Sequence, residues 1–366
     1  MNINDRYDQL TVAVSDDGGE AGVALEAVYQ PALPGGKISP PTFPPATSDP
    51  NGSPRYAMED RLIDGVRRSV VAVDTVASQA NRMEARLDEL ALAAALPLVE
   101  MTEQVGDNTA RVSSWTAPHR HADAYFEHAL LDGVPYWESP EGAELMAAQP
   151  QDAAALLRWF PGALLFGSWT SRKKGRPARF PRVVSSEMIG LDPVEGERLG
   201  VRADPLNLQK GTSTLTKKRL SDVGLGMIPA GSKRGGVTVS EVRRLGWLSF
   251  AGLRLLGFGG ERDTAGRALL AALALWADRL AFGSASLWLR SGCDLLRTNE
   301  SLTWVASAED RAPLDLSVDD AHALFDLARD RAEAAGASMA RETRKLTADS
   351  GLREAMEFTL LRAEDE

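Results

Sequence analysis

The chain has 366 residues, 44% apolar and 25% charged, with a formal net charge of −10, a composition that can bury a substantial core and excludes a wholly disordered chain. One cysteine, Cys293, excludes a disulfide scaffold and any multi-thiolate zinc site. The longest purely apolar runs, Leu90–Val99 and Ala268–Ala277, are ten residues each, short of the roughly 18–20 of a spanning helix, and the polar start MNINDRYDQL lacks a secretory signal's features, so a soluble cytoplasmic protein is expected.

Residues 1–22 are acidic with little periodicity. Ala24–Tyr29 (ALEAVY), ahead of Pro31, reads as a first strand. Eight prolines between residues 30 and 55 mark a long extended loop. Leu62, Val66, Val70, Val73, Ala77, Ala80, Met83 and Leu87 recur at steps of three and four. That stripe predicts one long helix reaching about Ala95, stopped by Pro97. Residues 98–150 are mixed, with short apolar pieces around Val112–Trp115 and Tyr125–Leu131, and Gln151–Phe160 reads as a short helix.

Ala163–Trp169 and Arg182–Leu191 read as strands around the basic, turn-rich loop Thr170–Pro181. Residues 192–236 lack sustained periodicity and are too polar for core, which makes them an excursion from the domain. Val237–Phe258 holds strand-like pieces, Arg262–Ala281 an apolar helix, and Ala285–Arg290 a further strand. Ser317 and Asp320 form a capping box for a helix to about Ala335, and Arg353–Arg362 closes the chain as another. Strands and helices alternate irregularly around long insertions, so the fold class is α+β.

Net charge alone argues against nucleic acid, but its distribution does not. Residues 158–244 carry 17 Lys and Arg against seven acids, whereas the rest of the chain carries 24 basic and 44 acidic residues. A basic middle inside an acidic envelope points to a local groove for a polyanion. Solvated loops are the plain alternative.

Other motifs are weaker. Gly257–Gly260 sits between a strand and a helix as a phosphate loop would. Position 262 is Arg, however, GxxxxGK[ST] is missing, and tight strand-to-helix packing explains the glycines equally well. His119, His121, Asp123 and His128 cluster in sequence without a recognised metal-ligand spacing. GxSxG is absent, and Cys293 reads as a buried thiol. The basic clusters are Arg172, Lys173, Lys174, Arg176, Arg179 and Arg182; then Lys210, Lys217, Lys218 and Arg219; then Lys233 and Arg234. Arg and Lys on Gly/Ser/Thr-rich loops suit phosphate contact. Trp169, Phe180 and Met227 beside them could stack on or wedge between bases.

Val76–Leu90, VASQANRMEARLDEL, resembles the helix motif of the backbone subunit of the type I-G (formerly I-U) CRISPR Cascade, a Cas-seven family of the RAMP superfamily. Four further pieces agree in order: Ile38–Phe43 (ISPPTF), Thr116–Phe126 (TAPHRHADAYF), Ala163–Asp192 with its FPR, and Val201–Leu206 (VRADPL) ahead of GSKRGGVTVSEV. The resemblance covers roughly residues 23–300 and leaves the acidic N-terminal stretch and the C-terminal tail outside it.

The resemblance implies a ferredoxin-like (RRM-type) palm from 23–191 and 237–310 with a helical insertion. A thumb at 192–236, an acidic segment at 1–22 and a C-terminal helical segment at 311–366 complete the expected organisation. It further implies a non-catalytic subunit that polymerises along CRISPR guide RNA, grips its phosphates and presents bases to a target DNA strand. Its partners would be copies of itself and other Cascade subunits, with no cofactor, no metal and no membrane. Arg172, Lys173, Lys174, Arg176, Arg179 and Arg182 would take guide phosphates, and Lys210, Lys217, Lys218, Arg219, Lys233 and Arg234 the thumb or target path. Asn81, Arg82, His119 and Arg120 are further RNA-binding candidates. The alternative is a metal-dependent RNA endonuclease subunit using a loop aspartate among Asp192, Asp204 and Asp222.

Overall fold

The computed structural model describes residues 2–45, 55–169, 178–197 and 235–362. It opens with helix α1 (Ile3–Val14), where the Asn2 side chain accepts the Asp5 N–H at 2.9 Å and Leu10, Ala13 and Val14 are buried. The acidic start therefore conceals a short apolar stripe. Strand β1 (Gly22–Pro31) contains the expected first strand. The short strands β2 (Thr42–Phe43) and β3 (Arg55–Tyr56) pair with each other.

The long helix expected from Leu62 is half strand. β4 (Met58–Ile63) and β5 (Val66–Asp74) form a hairpin across Asp64–Gly65, both left-handed with φ 52° and 78°. Asp-Gly at a two-residue turn is the favoured hairpin connection, and β-branched residues beyond it suit a strand. The helix is α2 (Val76–Leu90) alone, its N-terminus capped where Thr75 Oγ1 accepts the Ser78 N–H at 3.3 Å.

Next come β6 (Leu98–Val105), β7 (Asn108–Ser113), α3 (Ala124–Glu127), β8 (Ala129–Leu131), β9 (Val134–Pro135) and α4 (Pro140–Ala147). Then α5 (Ala154–Trp159) and α6 (Pro161–Phe166) follow. The strand expected over Ala163–Trp169 is mostly helix: Pro161 starts α6, and Gly167 at φ 82° ends it. Only β10 (Ser168–Trp169) is extended, paired with β11 (Arg179–Phe180). β12 (Val184–Leu191), β13 (Val194–Glu195), β14 (Val237–Thr238) and β15 (Val242–Ser249) follow.

The chain continues through α7 (Phe250–Arg254), α8 (Asp263–Phe282), β16 (Ser286–Arg290), β17 (Cys293–Val305), β18 (Arg311–Pro313), α9 (Val318–Ala334), β19 (Thr343–Ala348) and α10 (Ser350–Arg362). The Ser317–Asp320 capping box is formed as expected.

The main sheet has the order β16-β17-β1-β15-β12-β5-β4, with β18 on β17, all antiparallel. Within it, β1-α2-β12-β15-α8-β17 places its strands in the order fourth, first, third, second. That is the split βαβ arrangement of a ferredoxin-like palm, so the fold is α+β as expected. Helix α8 is buried at every position from Ala268 to Ala277, because α1, α2 and α9 pack on it. A second sheet, β7-β6-β19-β8-β9, fills the insertion between α2 and β12. Its central strand is the C-terminal β19, parallel to β6 and antiparallel to β8, where only helix was expected. Among the described residues no helix is long and apolar enough to cross a membrane.

A buried polar network ties the palm together. Arg244 on β15 donates to Gln79 at 3.2 Å and to Asp278, and its guanidinium lies 3.9 Å from the Phe282 ring centroid. Asp278 also accepts from Arg279 at 2.8 Å, and Arg279 pairs with Glu300 at 2.9 Å. Burial alone would push the Asp278 carboxyl up, but Arg244 and Arg279 together hold it below the usual carboxylate range.

Candidate nucleic-acid interface

A groove of about 510 Å³ runs along one face of α2. Ala77, Asn81, Glu84 and Ala85 recur there at helical spacing and form one wall. The stretch Trp115–Pro118 forms the other, and Arg120 and Arg182 complete the lining. The two alanines keep the helix wall low, which opens the space.

The floor is an ion pair. Arg120, left-handed at φ 54°, donates through Nε and Nη2 to Glu84 at 2.6 and 2.8 Å, and through Nη1 to Gly167 O at 3.0 Å. Burial pushes the Glu84 carboxyl up against the opposing pull of Arg120 and Arg182. Arg182 donates through Nε to Phe166 O at 3.1 Å, and among the described residues no carboxylate lies within salt-bridge distance of it. Burial, then the neighbouring Arg120, lower its pKa. An anion in this groove would therefore relieve a crowded positive charge.

The β10–β11 stem stands beside the groove, where Ser168 Oγ donates to His119 O at 3.4 Å. Trp169 is 56% exposed, and the Arg179 guanidinium lies 5.0 Å from its ring centroid. That pair offers a flat, cationic stacking surface. Phe180, the other aromatic candidate here, is instead buried, edge-on to His121 at 5.8 Å. Arg172, Lys173, Lys174 and Arg176 belong to the connection of this stem and lie outside the described residues.

A second stem, β13–β14, is pinned by Gly235 N–H to Gly196 O at 2.8 Å and Lys37 Nζ to Glu197 O at 3.1 Å. Lys210, Lys217, Lys218, Arg219, Lys233, Arg234 and Met227 lie outside the described residues beyond it. The two stems flank opposite ends of β12, whose eight residues span roughly 26 Å.

The remaining candidates divide. Asn81 is exposed in the groove. His119 is exposed at its rim, its N–H bonded to Asp123 at 2.8 Å. Arg82 points elsewhere: it pairs with the buried Asp74 at 2.8 Å and donates to Leu289 O at 3.0 Å, tying α2 to the β16–β17 hairpin. Glu84, Trp115 and Pro118 were missed, although Glu84 lies three residues from Asn81 on the same helix face.

The open face of the palm sheet offers little free charge. Arg61 pairs with Glu59 and Glu187, Arg68 with Asp192, and Arg243 with Asp64 and Glu241. Asp192 also accepts from Ser240 at 2.9 Å; Asp204 and Asp222 lie outside the described residues. His121 is buried, Asp123 caps α3, and His128 Nδ1 lies 3.0 Å from Asp349. Among the described residues no group of three His, Cys, Asp or Glu side chains is placed to hold a metal. Cys293 is buried, its thiol pushed up to about 11 by desolvation. Of the glycines before α8, Gly257 serves packing, since a Cβ there would meet Gln151 O at 2.3 Å, while Gly259 and Gly260 turn the chain at φ 108° and 71°.

Residues 23–194 match the model of the family described as CRISPR-associated protein GSU0053. The matched stretch runs from β1 into β13 and carries the whole groove and the β10–β11 stem. The match covers a little under half of the chain and is a likeness to a CRISPR-associated family. No curated protein matches the chain.

Proposed function

We propose that this chain is a non-catalytic backbone subunit of a type I-G Cascade. It polymerises in the cytoplasm along guide RNA and leaves the bases free to pair with target DNA, alongside other Cascade subunits. The observation that carries this reading is the groove lined by Arg182, beside a stem whose connection holds Arg172, Lys173, Lys174 and Arg176. Phosphates fit Arg182 and the basic connection, and an unstacked base fits the Trp169–Arg179 surface. Such a site holds a strand without reading its sequence, while the paired arginines of the open sheet face hold none.

The direct test is co-expression with a repeat–spacer array and the neighbouring subunits, followed by nuclease treatment and sizing of the protected strand. RNA of one discrete, guide-derived length is expected. Nucleic-acid-free protein from assembled complexes would remove the proposal.

Two quantitative expectations accompany it. Binding of single-stranded RNA falls log-linearly with salt at about −0.7 per phosphate contact. Replacing Arg172, Lys173, Lys174 and Arg176 with alanine flattens that slope by up to about 2.8 on the same basis; an unchanged slope would exclude these side chains from phosphate contact. Trp169→Ala weakens binding roughly five- to 150-fold, from about 1–3 kcal/mol of stacking per base. Titration of a labelled oligonucleotide measures this, with thermal unfolding confirming that the fold is intact.

A further inference from the structure

The path of the main sheet ends in two edge strands, β16 and β4, with the short β18 a further edge on β17, and the two end strands are built differently. Along β4, Glu59, Asp60 and Arg61 place charge on the free edge, a common guard against edge-to-edge pairing. Along β16 the sequence is Ser286-Leu-Trp-Leu-Arg290, and its only charged residue turns inward, donating to Val73 O at 2.9 Å and to Asp74 at 3.0 Å. Trp288 is 66% exposed, and Leu296 on the adjacent strand is 39% exposed.

The ladder shows which backbone groups of β16 face outward. Arg297 N–H donates to Ala285 O at 2.8 Å, and the register continues Ser286↔Leu296, Leu287↔Leu295, Trp288↔Asp294. Hydrogen-bonded and non-hydrogen-bonded pairs alternate along an antiparallel ladder. Leu287 is therefore bonded to β17, while the N–H and C=O of Ser286 and Trp288 point to the free edge. Among the described residues the only partner near them is Ser284 Oγ, 3.4 Å from the Ser286 N–H.

We propose that this edge pairs with the same edge of a second copy of the chain, antiparallel about a two-fold axis at Leu287. The strand is self-complementary in that register. Ser286 of each copy lies opposite Trp288 of the other, so all four outward backbone groups of each strand find partners. The small serine leaves room for the opposing indole, and the two Trp288 rings lie on one sheet face as a diagonal pair, within reach of each other. The two Leu287 side chains meet on the other face. No charge on either strand opposes the contact, as it would at β4, and the symmetric register closes at two copies.

The test uses the full chain stripped of nucleic acid by nuclease and high salt. Light scattering and sedimentation are expected to show a dimer that dissociates on dilution. Ser286→Pro removes an outward N–H without touching the β17 ladder, and Trp288→Lys guards the edge; both should be monomeric with unchanged thermal unfolding. In the proposed register the Leu287 Cα atoms are about 4.5 Å apart, within disulfide range. Leu287→Cys should therefore oxidise to a covalent dimer while Ser286→Cys should not, the native Cys293 being buried. A wild-type chain that stays monomeric at every concentration overturns the proposal, and so does equal cross-linking of the two cysteine variants.

Discussion

Asp278→Asn is expected to cost about 3–5 kcal/mol of folding stability at neutral pH, the range for breaking a buried ion pair from one side. The side chains of Asp278, Arg244 and Arg279 are all buried, and the carboxylate lies between the two guanidiniums. An amide fills the same space but removes the negative charge, leaving Arg244 with Gln79 and the Phe282 ring. The pH dependence has a defined sign. Asp278 titrates lower in the folded chain than unfolded, so its stabilisation is complete above the ordinary aspartate range, about pH 3.9. It is lost as pH falls through the folded value. Denaturant unfolding at neutral pH should thus separate wild type from Asp278→Asn widely, and the gap should close in strong acid. A gap that stays constant with pH would mean that the charge is not what the site supplies.

What was legible in the sequence followed the range of each signal. The Ser317–Asp320 cap, the Ala24–Tyr29 strand and the apolar α8 were read correctly because capping and burial periodicity are local. The Leu62–Val73 stripe misleads because residues at steps of three and four fit a helix, yet a turn at Asp64–Gly65 folds the same residues back on themselves. The β-branched run ending at Val73 and the Asp-Gly pair were the better guides. β19 was invisible for another reason: TRKLTA has little apolar pattern, and it is a strand only because β6 and β8, some two hundred residues earlier, flank it.

The site divides in the same way. Charge density and the resemblance drew attention to Arg120 and Arg182, but nothing local shows that Arg120 reaches Glu84 across 36 positions. Nor does it show that Arg82 belongs to Asp74. Partner choice between side chains distant in sequence is set by the packing of α2 against the insertion, which composition does not encode.

Arg120→Ala separates the two roles that the groove combines. It leaves Glu84 buried without its bidentate partner, and a loss of about 3–5 kcal/mol is expected at neutral pH. Here the carboxyl's shift is opposite to that of Asp278, although the gap to wild type again closes toward acid. Burial already raises the folded pKa of Glu84, and losing Arg120 raises it further, so the folded variant takes up a proton more readily than the unfolded chain. Its deficit should shrink as pH falls toward the ordinary glutamate range, about pH 4.3. Glu84→Gln is the complementary change. It removes the one negative charge among the described residues that line the groove, so RNA should bind more tightly and with a steeper salt slope, whatever the effect on stability. Stability and RNA affinity therefore move independently in the two variants if the groove holds phosphates. If the ion pair only props α2 against the insertion, Glu84→Gln leaves affinity unchanged or weakened, and the strand path lies elsewhere.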